Sequence, residues 1–223
     1  METNPEMAAI DYFQKIPVSR LIVSQYNPIN LNKVTLANGT IYTSASSDWG
    51  GVYSGDMREY IGKALISTGI NLANYGISSS GGTSQYQPAH YMQIVVHHSI
   101  GKYGNGVQQH GLSGGNGMAT LYGTQGNEFS HELGHNYGLG HYPNGFAGSF
   151  HTRTTGWGYD TLRHRMIGNT NPWATDETFM DGQTVGKFGD HPYGKDAMAG
   201  GFPMGDVSQY TQHTGYVATV IQK

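Results

Sequence analysis

The sequence predicts an α+β fold, with an α/β-like N-terminal lobe followed by a smaller, irregular C-terminal lobe. Three observations predict it. Short β-type runs alternate with a helical period in the first hundred residues. A second helical period lies at 127–139. Beyond Gly140 the patterning fades into glycine-punctuated sequence. The 223 residues suit one domain with its own core, read here as a lobe over 1–141 and a lobe over 142–223.

The elements follow in order. Residues 20–26 (RLIVSQY) read as a strand. Residues 33–37 and 40–44 flank Asn38-Gly39, a strong hairpin signal. Residues 46–55 (SSDWGGVYSG) are a glycine-rich loop. Residues 56–68 carry Met57, Tyr60, Ile61, Ala64 and Leu65 at helical spacing, with Asp56 and Glu59 in the first turn and Gly69 as the expected end. Residues 77–83 read as a loop and 91–96 (YMQIVV) as a buried strand. Residues 101–117 read as a glycine-rich surface stretch and 118–122 (MATLY) as a short strand. A helix is expected over 127–139, with Glu128 near its positive end. Tyr142-Pro143-Asn144-Gly145 reads as a turn, 165–195 as a long irregular segment and 207–221 as a closing helix.

Composition excludes several functions. Twelve basic against 15 acidic residues give a formal charge of −3, which argues against a nucleic-acid binder. With no cysteine there is no disulfide framework, thiol nucleophile or Cys-ligated zinc. No apolar run approaches the length of a membrane span. The first residues lack a signal-peptide pattern, so the chain reads as a domain of a longer protein.

Residues 131–141 read HELGHNYGLGH. On a helix, His131 and His135 stack on one face, where two nitrogens at about 2.0–2.1 Å can hold one Zn²⁺. Gly138 can end the helix in a left-handed turn and bring His141 back as a third ligand. Such a site keeps a position for water, whose pKa the metal lowers toward 7. Glu132, rotated by about 100° from His131, can act as the base that drives attack of that water on a peptide carbonyl. The five fixed positions of HExxHxxGxxH arise by chance in roughly one such chain in ten thousand.

This pattern resembles that of the metzincin metalloendopeptidases. That resemblance implies a twisted mixed sheet, an active-site helix and a methionine turn, for which Asp196–Gly201 (DAMAGG) with Met198 is the candidate. It also implies that an edge strand at 118–122 pairs with extended substrate. Residues 127–142 (NEFSHELGHNYGLGHY), 196–201 and 11–24 (DYFQKIPVSRLIVS) are similar to the dictomallein-type, StcE-like metalloproteases. The similarity runs from about residue 5 to the end and includes 110–117 (HGLSGGNG) and Tyr210-Thr211. It implies a bacterial, secreted or cell-surface endopeptidase with one catalytic zinc on His131, His135 and His141, and Glu132 as base. The implied substrates are O-glycosylated, mucin-like proteins.

Two departures accompany the resemblance. The glycine-rich loop reads Gly50-Gly51-Val52-Tyr53-Ser54 where that family can carry an aromatic–histidine pair, and Gly200 stands where several metzincins place a tyrosine. Tyr142, His213 and Tyr216 are the alternative oxyanion donors. Trp49, Tyr53, Tyr142 and Trp157 are candidates for stacking on sugar rings. Two further readings stay open: a peptide-selective metzincin without a glycan requirement, and a zinc-containing glycoprotein-binding module with little turnover. Gly111–Gly115 matches G-x-S-x-G but lacks the strand and helix of a nucleophile elbow. His97 and His98 read as structural.

Overall fold

A computed structural model describes residues 4–46, 48–75, 92–177, 179–203 and 208–223. It has the mixed helix and strand content of an α+β chain, with several small sheets. The chain folds as two units. One comprises 24–123 with 135–138; the other comprises 1–23, 124–134 and 139–223. The expected loop at 77–83 lies outside the described residues.

In the unit built on 24–123, β1 (Val34–Thr35) and β2 (Ile41–Tyr42) pair antiparallel across the Asn38-Gly39 loop. Asn38 closes that loop by accepting the Thr40 N–H at 3.0 Å, and Gly39 takes φ +87°. The strand expected at 20–26 does not form. Ile22 and Val23 stand 63% and 56% exposed, and β-propensity without a partner strand or burial does not make a strand. The helix expected at 56–68 forms but is wider and longer. Met57–Ser67 winds with π-type bonding and continues without a break as α2 (Thr68–Tyr75), past Gly69. Fully buried Asn71 outweighs the glycine cost of about 1 kcal/mol. Its amide donates to Gly117 O at 3.0 Å and accepts from Gln93 Nε2 at 2.6 Å.

The stretch 101–117, expected to be surface-wrapping loop, is largely strand. β3 (Val95–His97) begins later than the strand expected at 91–96. β4 (Ser99–Tyr103) and β5 (Gly106–His110) form a hairpin, and β6 (Ser113–Gly115) turns into β7 (Met118–Thr120). The β6–β7 loop is Asn116-Gly117, both at positive φ (54° and 77°), the pairing that a two-residue hairpin turn requires. The strand at 118–122 is therefore not an edge. β7 pairs with parallel β3 on one side and antiparallel β6 on the other, so its backbone groups are already taken. Tyr103 organises the glycine-rich loop. Its ring fills the space where a Cβ at Gly50, Gly55 or Gly101 would stand. Its hydroxyl accepts from Arg58 N–H at 3.0 Å and donates to His110 Nε2 at 2.9 Å. His110 in turn donates from Nδ1 to Gly51 O at 2.7 Å.

His97 sits between two hydroxyls, Ser67 Oγ on Nδ1 and Thr120 Oγ1 on Nε2, each at 2.8 Å. Burial first, and then the charges of His98, Arg58, His110 and Lys63, push its pKa down from 6.5 to about 4. The unfolded chain therefore takes up this proton more readily. Stability is lost as pH falls from 6.5 through 4, by up to about 3 kcal/mol. Urea denaturation at pH 7 and pH 4 checks this. The stability advantage of wild type over His97→Gln is expected to shrink by about that amount between the two pH values.

In the other unit, α1 (Pro5–Phe13) was not expected, although its signals are legible: Asn4 caps Met7 N–H at 3.1 Å, and Pro5 and Glu6 occupy the first turn. Tyr12 meets Phe129 and Tyr210 edge-on at ring distances of 5.0 and 5.3 Å. α4 (Gly145–Ser149) follows the expected turn at 142–145. Residues 165–195 are mostly irregular, as expected, but are pinned by short antiparallel pairs. β8 (Gly158–Asp160) pairs with β9 (Arg165–Ile167), β10 (Phe179–Met180) with β11 (Gln183–Thr184), and β12 (Lys187–Phe188) with β13 (His191–Pro192). The closing helix expected over 207–221 is only α5 (Gly215–Ile221). Thr214 caps it, and the residues before it bond instead to the core, as Thr211 N–H does to Ser130 Oγ at 3.0 Å.

Candidate metal centre

The helix expected at 127–139 is α3 (Gly126–Asn136). It ends three residues earlier because Gly138, at φ +77°, turns the chain and donates its N–H to His135 O at 3.1 Å. Its C-terminal Asn136 is fully buried, donating to Met118 O at 3.0 Å and accepting from Gly117 N–H at 2.9 Å. Helix and turn bring His131, His135 and His141 together, with one ligand nitrogen of each within 4.8 Å of the others. Two nitrogens bound to one ion at 2.0–2.1 Å can be at most about 4.2 Å apart, so small ring rotations close the set. Among the described residues no other group of three His, Asp, Glu or Cys is placed to hold a metal. A three-imidazole donor set fits zinc.

The ring of His131 is oriented from below. Its Nδ1–H donates to Ala197 O at 2.9 Å, which leaves Nε2 as the nitrogen with the lone pair. Asn127 Nδ2 donates to the same carbonyl at 3.2 Å. That carbonyl belongs to a 3₁₀ turn, Ala197–Ala199, closed by Gly200 at φ +75°. Met198 at its centre is 1% exposed, and its sulfur occupies the space that a Cβ on Gly134 of α3 would need. Asp196 holds the turn. Its carboxylate accepts from Met198 N–H at 2.8 Å and Thr214 N–H at 2.6 Å, with His213 Nδ1 at 3.3 Å.

Glu132 is 5% exposed. Burial, and secondarily the charge of Glu128, push its carboxyl up to about 7. Tyr142, directly after His141, sits at φ +49°, a conformation rare for a bulky residue. Its N–H donates to Met198 O at 3.2 Å.

The other sequence candidates separate into two kinds. Tyr53, Tyr142, Tyr216, Trp157 and Trp49 are exposed, Trp49 most of all at 77%. His213 is buried, with Nδ1 on the Asp196 carboxylate at 3.3 Å and no hydrogen-bond partner on Nε2 among the described residues. The sequence places Asp196 and Ala197 in the candidate turn but gives neither of them, nor Asn127, a role beside the histidines. A backbone carbonyl leaves no sequence signal, whereas an Asp just before a glycine-ended turn is a readable cap.

The chain belongs to the Peptidase M66 family, which matches residues 1–223. It is similar to two larger bacterial proteins. It is 51% identical over 223 residues to the ToxR-activated gene A lipoprotein of Vibrio cholerae serotype O1, covering 97% of this chain and 22% of the relative. It is 45% identical over 219 residues to the metalloprotease StcE of Escherichia coli O157:H7, covering 96% and 24% respectively. The StcE-like resemblance is thereby established, and the chain spans less than a quarter of the length of these relatives. No described helix is long and apolar enough to cross a membrane.

Proposed function

We propose that this chain is the catalytic domain of a metzincin-type zinc endopeptidase that acts on O-glycosylated, mucin-like proteins outside the bacterial cell. The convergence of His131, His135 and His141 on one point, within a peptidase family, carries the reading. His131, His135 and His141 would hold one zinc ion. Bound there, zinc supplies Lewis acidity that activates water and polarises a carbonyl. Glu132 accepts the proton of the attacking water and passes it to the leaving amine. Glu132 would be favoured in its ionised form by a divalent cation held on the three histidines, against the upward push of burial. Met198 and its turn form the floor of the site, and Ala197 fixes the His131 tautomer.

The glycan requirement draws support from the exposed aromatic rings of Trp49, Tyr53 and Trp157, which suit stacking on sugars. The other relative is a lipoprotein, which supports a surface or extracellular place. The test is digestion of one mucin-domain glycoprotein, intact and enzymatically stripped of O-glycans. Cleavage of the intact form alone is expected. Equal or faster cleavage of the stripped form would leave a peptide-selective protease, and binding without fragments would leave a binding module.

A further inference from the structure

Directly after the third histidine, a pocket of about 280 Å³ opens between Tyr142, Phe150, Phe179, Met180 and Lys195. Its floor is rigid. Phe150 is 2% exposed and packs with Val185 and Tyr193, and a backbone bridge joins it to Lys195. One wall is the β10–β11 hairpin, whose Asp181-Gly182 turn has both φ values positive (51° and 75°). The other wall is Tyr142, held in its left-handed conformation beside His141. Among the described residues that line the pocket, Lys195 alone is charged. Its Nζ lies 5.8 Å from the centre of the Phe150 ring, and among the described residues no carboxylate pairs with it.

We propose that this pocket is a substrate subsite for a carboxylate-bearing group. Lys195 shares the pocket with three aromatic rings and a thioether, and its contact with the Phe150 ring is weaker than a charge pair would be. A carboxylate entering the pocket supplies that pair, while its carbon frame packs on the Tyr142, Phe179 and Met180 walls. Two parts of a glycoprotein carry such a group: an Asp or Glu side chain near the scissile bond, and an acidic sugar of the glycan. Because Tyr142 adjoins His141, the occupant belongs to the part of the substrate close to the cleaved bond.

This inference rests on the endopeptidase reading, and the test separates the two. Wild type, Lys195→Met and Lys195→Glu are assayed on matched peptides carrying Glu or Gln at successive positions around one cleavage site. A sialylated glycopeptide is assayed before and after sialidase treatment. Wild type is expected to favour one acidic partner about ten- to a hundred-fold in kcat/KM, the range of a charge-assisted contact. Lys195→Met should erase that preference and leave the neutral substrate within about three-fold, and Lys195→Glu should reverse it. The peptide series and the sialidase pair show which source of carboxylate is used. A cleaving wild type without acidic preference, or a Lys195→Met variant that loses acidic and neutral substrates equally, overturns the subsite but not the protease. If nothing is cleaved, calorimetry of the acidic and neutral peptides decides. Lys195-dependent acidic binding upholds the subsite without the protease, and no difference in binding ends it.

Discussion

Glu132→Gln is expected to lower the proteolytic kcat by about 10²–10⁴-fold while the metal content of the protein stays unchanged. The substitution keeps the size and burial of a side chain that is 5% exposed, so the fold should tolerate it. What it removes is the ability to accept a proton. Glu132 follows His131 on α3, and under the proposed function it acts on water held at the histidine cluster. Steady-state kinetics with metal analysis of the same preparation reads both parts of the expectation. Proteolysis within about three-fold of wild type would remove Glu132 from the mechanism.

Asp196→Ala should destabilise the protein by about 3–5 kcal/mol, a large part of a typical domain's stability. The carboxylate is fully buried and receives Met198 N–H, Thr214 N–H and the contact from His213 Nδ1. Truncation strands these donors in a dry interior, where each unsatisfied group costs about 1–3 kcal/mol. It also releases the turn whose Ala197 carbonyl orients His131, so metal affinity should fall along with stability. Chemical denaturation measures the first effect and competition with a zinc chelator the second. A variant as stable as wild type would show that the turn holds itself without this carboxylate.

The histidine cluster was legible because it is local. Three histidines within eleven residues need only a helix and a glycine turn to meet, and both have clear sequence signatures in 126–138. The support beneath it was less legible. Met198 could be singled out, but the carbonyl of Ala197 bonding His131 depends on a chain reversal that no periodicity announces. Among the strands, Asn38-Gly39 was recognised as a hairpin. The same chemistry at Asn116-Gly117 and Asp181-Gly182 was hidden because the flanking runs are only two or three residues long and rich in glycine. Such runs show no alternation of apolar and polar residues to reveal a strand. The run 20–26 differs in the opposite direction: its Ile22 and Val23 have strand propensity, but pairing is a tertiary property and among the described residues no strand pairs with it. The helix that ran past Gly69 is a similar case, since the bonds of Asn71 that sustain it are made to residues far along the chain.

The most direct test of the account is the metal content and proteolytic activity of one purified sample, measured before chelation, after chelation and after zinc is returned. One zinc ion per chain, loss of activity with the metal and recovery on its return are expected. Substituting His131, His135 or His141 by Ala is expected to prevent that recovery. Full proteolysis by the metal-free protein, or zinc retained at wild-type affinity without these histidines, would contradict it.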